Sequence, residues 1–113
     1  MKKVTLIISS TLIFGSLFAM GQKPAEPTLE AYRSKITNTD QEIIRLIAVR
    51  DGIVKKIGKY KKAHGLDIYE TSRMVNLKKE HTAMAIQYDV SPEVVDNVFD
   101  VIVASAVKIA SKA

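Results

Sequence analysis

Three cationic side chains, Arg33, Arg50 and Lys61, are spaced so that they can surround a small anion. Arg50 and Lys61 are eleven residues apart, so in a helix they would differ by only ~20° around the axis and face one pocket. Arg33 is seventeen residues before Arg50, roughly 100° away around the axis and about 25 Å along it. From the same chain it does not easily reach that pocket, but in a paired chain it can serve the equivalent one. The spacing predicts a helical homodimer with two anion-binding sites, each built from both protomers.

The guanidinium groups also indicate the class of ligand. Arginine presents a planar fork that binds a carboxylate bidentately, which lysine cannot do. Two arginines and one lysine therefore suit a small dianionic ligand. A reaction that needs only positioning and electrostatic stabilisation can proceed in such a site without a nucleophile or a cofactor.

Other catalytic groups are scarce in this sequence. It has no cysteine, which excludes disulfides and thiolate metal sites, and its two histidines, His64 and His81, are too few for a histidine metal cluster. There is no Ser-His-Asp set, no glycine-rich phosphate loop and no obvious acid–base pair of carboxylates. The sequence therefore predicts neither a metal nor a cofactor.

The charge balance is a weak argument for nucleic acid as a partner. The formal net charge is +5, and removing the two leader lysines, Lys2 and Lys3, leaves +3. Basic residues concentrate in the segment 50–62, most of which we interpret as a solvated helix face. They are not accompanied by a recognisable nucleic-acid-binding module or by much aromatic interleaving, so we expect no nucleic-acid partner.

Residues 1–21 have the three-part pattern of a secretory signal peptide. Two lysines precede an apolar run from Val4 to Phe18, and Ala19 and Gly21 are small residues suited to cleavage before Gln22. The alternative is an uncleaved membrane anchor, but the run is short for a span of ~20 residues. The pattern predicts a periplasmic or secreted protein that is not membrane-bound after cleavage. Residues 22–28 then form a lead-in to a helical domain at 29–113.

The first helix is expected to run from Leu29 to Ala63. Thr28 is a suitable N-cap, Gly65 a suitable residue just past the end, and no proline intervenes. At ~50 Å this helix far exceeds the ~12 Å radius of gyration of a 90-residue domain, so a partner chain is expected to cover it. One of its faces is apolar or aromatic, at Leu29, Tyr32, Ile36, Ile43, Leu46, Ile53, Ile57 and Tyr60.

Two further helices complete an all-α fold. The apolar spacing predicts a second helix over residues 71–88, with His81 on its apolar stripe as a half-buried core residue. Ser91 and Pro92 form a capping residue and first helical position for a third helix that reaches about Ser111. The mature chain is thus predicted to be three helices of very unequal length.

These segments together resemble the all-helical chorismate mutase family. The first helix, L-E-A-Y-R-S-K-I-T-N-T-D-Q-E-I-I-R-L-I-A-V-R followed by I-G-K-Y-K, is similar to that family's signature. The connector G-L-D-I-Y-E-T-S-R resembles the start of its second helix, and V-S-P-E-V-V-D-N-V-F the start of its third. The resemblance covers about residues 29 to 110. It implies an intertwined homodimer that rearranges chorismate to prephenate without a cofactor.

The resemblance also implies roles for individual residues. Arg50 would bind one substrate carboxylate, and Arg33 would reach in from the other protomer to bind a carboxylate as well. Lys61 would donate to a carboxylate and to the ether oxygen whose bond breaks. The family usually has a glutamate early in the second helix to hold the substrate hydroxyl, where this chain has Ser72. Late in the third helix it usually has glutamine or glutamate at the ether oxygen, where this chain has Ala110.

Two other functions stay open on the sequence. One is isochorismate-pyruvate lyase, which the same scaffold supports with the same cations. The other is a non-catalytic helical module that keeps the fold and part of the anion site. Position 110 is the feature that separates enzyme from module: a polar donor there would favour the enzyme, and alanine leaves the choice open.

Overall fold

A computed structural model describes residues 24–113, which form three α-helices and no strand. Helix α1 spans Leu29–Ala63, α2 spans Thr71–Gln87 and α3 spans Pro92–Lys112. The all-α class, the number of helices and the long first helix are therefore confirmed. The predicted signal peptide at 1–21 and the first residues of the lead-in lie outside the described residues.

The helix ends follow the sequence signals that predicted them. The Thr28 side-chain oxygen accepts a hydrogen bond from the Ala31 N–H at 3.1 Å, which caps α1. Gly65, two residues beyond α1, has a φ of 65°, a left-handed conformation that glycine adopts without steric cost. At the start of α3, the Ser91 side chain accepts from a backbone N–H and Pro92 takes the first helical position.

The described chain falls into two units, residues 24–37 and residues 38–113. The first contains the start of α1. In the second, α2 and α3 pack against each other, and the most deeply buried residues are Gly58 of α1, Ala85 of α2 and Ala110 of α3. No helix among residues 24–113 combines the length and the hydropathy needed to cross a membrane.

Gly58 brings α1 and α3 into backbone contact. A Cβ atom at this position would lie 2.5 Å from the Ala110 carbonyl oxygen, 2.8 Å from the Ala110 Cα and 2.9 Å from the Ala113 Cβ. Gly52, the other glycine inside α1, would place its Cβ in open space, with nothing within 4 Å. Only Gly58 therefore permits the end of α3 to lie directly on α1.

Much of the apolar surface of a single chain is exposed. Within residues 38–113, the large apolar and aromatic side chains of α1 are each between 45% and 66% accessible, at Ile43, Ile44, Leu46, Val49, Ile53, Ile57 and Tyr60. Leu29, Tyr32 and Ile36 in the first unit are also exposed. Exposed apolar surface on this scale is typical of an interaction site. The intertwined homodimer stays a prediction, and these side chains are the surface that it would cover.

Candidate functional site

A cavity of about 320 Å³ lies within residues 38–113, between the second half of α1, the connector after it, and both other helices. Two of the cations predicted from the sequence, Arg50 and Lys61, line it together. Their eleven-residue spacing on α1 does place both on one face, three turns apart. The lining residues are Arg50, Val54, Ile57, Lys61, Ile68, Glu70, Arg73, Met74, Leu77, Val103, Ala106, Val107 and Ala110.

Arg50 lines this cavity and carries a donor without a partner. Its Nη1 atom is buried and has no hydrogen-bond partner among the described residues. Buried polar groups in proteins are almost always hydrogen-bonded, because an unpaired one loses its contacts with water and gains nothing in return. A guanidinium nitrogen that the described residues leave without a partner is free to donate to an acceptor outside the chain, either water or a ligand.

Lys61 is held in place from two directions. Its side chain is only 15% exposed, and its Nζ donates to the Ile68 backbone oxygen at 3.0 Å and to Glu70 Oε1 at 2.8 Å. The hydrogen bond from Lys61 and then its positive charge hold the pKa of the Glu70 carboxyl below its ordinary value, with a smaller contribution from the charge of Arg73. Glu70 is therefore ionised at neutral pH, and the ion pair ties the connector to the end of α1.

Arg73 is a third cation at the cavity, and the sequence reasoning missed it. It lies in the first turn of α2, half-exposed, and its Nη1 is 3.7 Å from Glu80. A signal was available in the periodicity. Glu70 is four residues before Met74 on the apolar stripe of α2, and Arg73 borders the same stripe, so extending it by one turn brings both charged residues to the cavity.

Helix α3 contributes only apolar side chains to the cavity, at Val103, Ala106, Val107 and Ala110. Ala110 is 5% exposed and lies against Gly58, so the end of α3 is set close to α1. The expectation that position 110 faces the site is consistent with this placement. The wall formed by α3 offers no side-chain hydrogen-bond donor.

Two other predicted site residues are not among the residues that line the cavity. Ser72 is in the first turn of α2 with an exposed side chain, and it is not among the residues that line the cavity. Arg33 belongs to the first unit, where its side chain is 65% exposed and its Nη1 is 3.8 Å from Glu30. The lining residues all belong to residues 38–113. The roles of Ser72 and Arg33 therefore stay predictions.

His81 packs beside the cavity rather than lining it. Its ring lies 3.9 Å from the ring of Phe99 on α3, with an angle of 35° between the planes, as expected for a half-buried core residue. Burial lowers the pKa of His81, and the positive charge of Arg50 lowers it further. Within residues 24–113, no group of three or more histidine or acidic side chains is placed to hold a metal ion.

The cavity thus combines three cations, one carboxylate and an apolar wall in an all-helical protein. The chain belongs to the chorismate mutase family, because the family model for chorismate mutase type II matches residues 32–110. It is also 33% identical over 70 residues to the T-protein of Haemophilus influenzae. That match covers 62% of this chain and only 19% of the T-protein.

Proposed function

We propose that this protein is a chorismate mutase, which rearranges chorismate to prephenate without a cofactor. The observation that carries the proposal is the placement of Arg50, whose Nη1 has no partner among the described residues, at one cavity with Lys61 and Arg73. Three cations and one carboxylate give the cavity a formal charge of +2, which matches a dicarboxylate. Membership of the chorismate mutase type II family supports the choice of chorismate as that dicarboxylate.

Each cation has a distinct part in the proposed reaction. Arg50 binds one carboxylate through its planar fork, which fixes the orientation of the ligand as well as its charge. Lys61 donates to the ether oxygen whose bond breaks. Negative charge grows on that oxygen in the transition state, so this contact is stronger there than in the ground state, and that difference lowers the barrier. Arg73, in the first turn of α2, adds positive charge to the cavity.

The second carboxylate is bound in this proposal by Arg33 of the partner subunit. The seventeen-residue spacing from Arg50 favours this arrangement over a contribution from the same chain. The exposed apolar face of α1 supports a homodimer, because a stable chain does not leave so many large side chains in water. Ser72 is proposed to contact the substrate hydroxyl, as the family resemblance implies. The leader at 1–21 supports a periplasmic or secreted location.

The direct test measures loss of chorismate and formation of prephenate by the purified chain beginning at Gln22. We expect Arg50→Ala to abolish turnover while the helical content and the oligomeric state are retained. Arg45→Ala is the matched control, because Arg45 is an exposed arginine of the same helix that pairs with Glu42 outside the cavity. Turnover by Arg50→Ala at the level of Arg45→Ala would refute the assignment of the site.

The shared site has its own test. Arg33→Ala and Arg50→Ala chains are each expected to be inactive as homodimers. In a mixed dimer one of the two sites regains both arginines, so activity should return to roughly half that of the unmodified protein. A verified heterodimer without activity would contradict the proposal that each site is built from both protomers.

One observation favours a second candidate, a non-catalytic anion-binding module. Ala106 and Ala110 line the cavity where a donor to the ether oxygen would be expected from the resemblance, and alanine cannot donate. In that case the folded protein would bind chorismate, detected by calorimetry, without converting it. If neither binding nor turnover is seen with chorismate, isochorismate is the next ligand, with pyruvate as the product that would identify a lyase.

A further inference from the structure

Glu70 is the one carboxylate among the side chains that line the cavity within the described chain. A negative charge beside Arg50, Lys61 and Arg73 weakens the binding of a dianion, because like charges repel. The unfavourable effect of the Glu70 carboxylate on dianion binding is therefore expected to be offset by another effect of the same carboxylate. That other effect is visible in the contacts of Glu70 with the end of α1.

Glu70 occupies the position just before α2, where a side chain commonly caps the helix. Its backbone is extended, with φ −124° and ψ 113°, and its side chain makes no capping hydrogen bond. It instead accepts from the Lys61 ammonium at 2.8 Å. The carboxylate is thus committed to Lys61 rather than to the helix that it precedes.

The Lys61 ammonium has three N–H donors, and two of them are directed by this arrangement. One points to the Ile68 backbone oxygen at 3.0 Å and one to Glu70. A lysine side chain has four rotatable bonds and many accessible conformers, so a single contact fixes it poorly. Two acceptors from neighbouring residues of one connector fix the direction of the third donor as well.

We propose that Glu70 is a positioning residue that orients the Lys61 ammonium toward the reacting oxygen, so that it raises kcat while weakening the binding of the dianionic substrate. This inference rests on the proposed function. Donors that are already oriented before the reaction stabilise developing charge without reorganising, which is the source of their effect on rate. The repulsion of the substrate is the accompanying cost, and it is expressed in KM.

Two substitutions separate the hydrogen bond from the charge. Glu70→Gln keeps an oxygen that accepts from Lys61 but removes the negative charge. We expect it to keep kcat within about threefold of the unmodified protein and to lower KM, because repulsion of the dianion is removed. Glu70→Ala removes both the acceptor and the charge, so kcat should fall by about tenfold or more while KM does not rise. Glu42→Ala, which removes the carboxylate of an exposed ion pair outside the cavity, is the control and should change neither constant.

Two outcomes of these kinetics would overturn the inference. An unchanged kcat in Glu70→Ala would mean that Lys61 needs no second acceptor. Equal losses of kcat in Glu70→Gln and Glu70→Ala would mean that the charge of Glu70, rather than its hydrogen bond to Lys61, affects the rate.

A measurement that does not depend on turnover distinguishes this inference from the proposed function. In 15N-labelled protein, the Lys61 ammonium should be protected from rapid proton exchange and give its own signal, assigned by its loss in Lys61→Arg. The signal should persist in Glu70→Gln and Glu42→Ala and disappear in Glu70→Ala. If the unmodified protein fails to convert chorismate, the proposed function fails, yet this signal still tests whether Glu70 holds Lys61. A signal of equal strength in Glu70→Ala would refute that arrangement.

Discussion

The two glycines inside α1 provide a matched pair of substitutions with opposite expected effects. Replacing glycine by alanine in a helix interior stabilises the helix by about 1 kcal/mol, and this gain should be similar at Gly52 and Gly58. Gly52 has open space around its missing Cβ. Gly52→Ala is therefore expected to raise the free energy of unfolding by up to ~1 kcal/mol.

Gly58→Ala makes the same gain but adds a steric cost. The new Cβ would lie 2.5 Å from the Ala110 carbonyl oxygen and 2.8 Å from its Cα, so a backbone segment rather than a flexible side chain must shift. Overpacking of this kind typically costs ~1–3 kcal/mol. Because the helix-propensity gain cancels between the two variants, Gly58→Ala should be about 1–3 kcal/mol less stable than Gly52→Ala.

Urea denaturation followed by far-UV circular dichroism measures this difference. Both variants must be compared at one protein concentration, because the stability of an associating protein depends on it. The displacement of Ala110 should also alter KM or kcat for chorismate in Gly58→Ala and not in Gly52→Ala. Equal unfolding free energies for the two variants would refute the close approach of α3 to α1 at Gly58.

Two further predictions concern the apolar wall and the histidine beside it. Ala110→Gln places a donor on the α3 side of the cavity and should raise kcat by as much as ~10²-fold, the typical effect of one oriented donor. An unchanged kcat in a folded variant would mean that another group already donates to the ether oxygen. The pKa of His81 is held below its ordinary value of 6.5, so protonation of this histidine favours the unfolded chain. The stability that neutral His81 gives is therefore complete above about pH 6.5. It is lost as the pH falls through the lower pKa of the folded state. Replacement by phenylalanine, His81→Phe, should reduce this loss in denaturation curves taken between pH 7 and 5, and an unchanged pH dependence would show that other groups cause it.

Periodicity and capping were enough to predict the helices. The bounds of α1 followed from Thr28, the apolar stripe and Gly65. The placement of Arg50 and Lys61 at one cavity followed from their separation alone. Both inferences depend on local geometry, in which each residue adds a fixed rotation and rise. That Gly58 and not Gly52 is the point where α3 lies on α1 depends on how the helices pack, which local geometry does not describe.

The connector and the start of α2 were harder to predict. The placement of Glu70 and Arg73 at the cavity depends on how the chain turns after α1, and one contact in that turn is the hydrogen bond from Lys61 to the Ile68 oxygen. Such a contact joins residues seven apart across a bend, and no helical period describes it. Aligning the family pattern by spacing alone selected Ser72, one position from the arginine that lines the cavity.

The unpaired nitrogen of Arg50 also implies a trade-off between stability and function. Burying a polar donor without a partner costs about 1–3 kcal/mol, and an acceptor that enters the cavity, either water or a ligand, reduces that cost. A methionine of similar length would fill the same space without an unpaired donor, so Arg50→Met should give a more stable protein that binds dianions more weakly. Natural proteins commonly stay below their maximal stability where function requires it. Binding of a dianion is then favoured in part because the ligand gives Arg50 a hydrogen-bond partner that the folded chain itself does not supply.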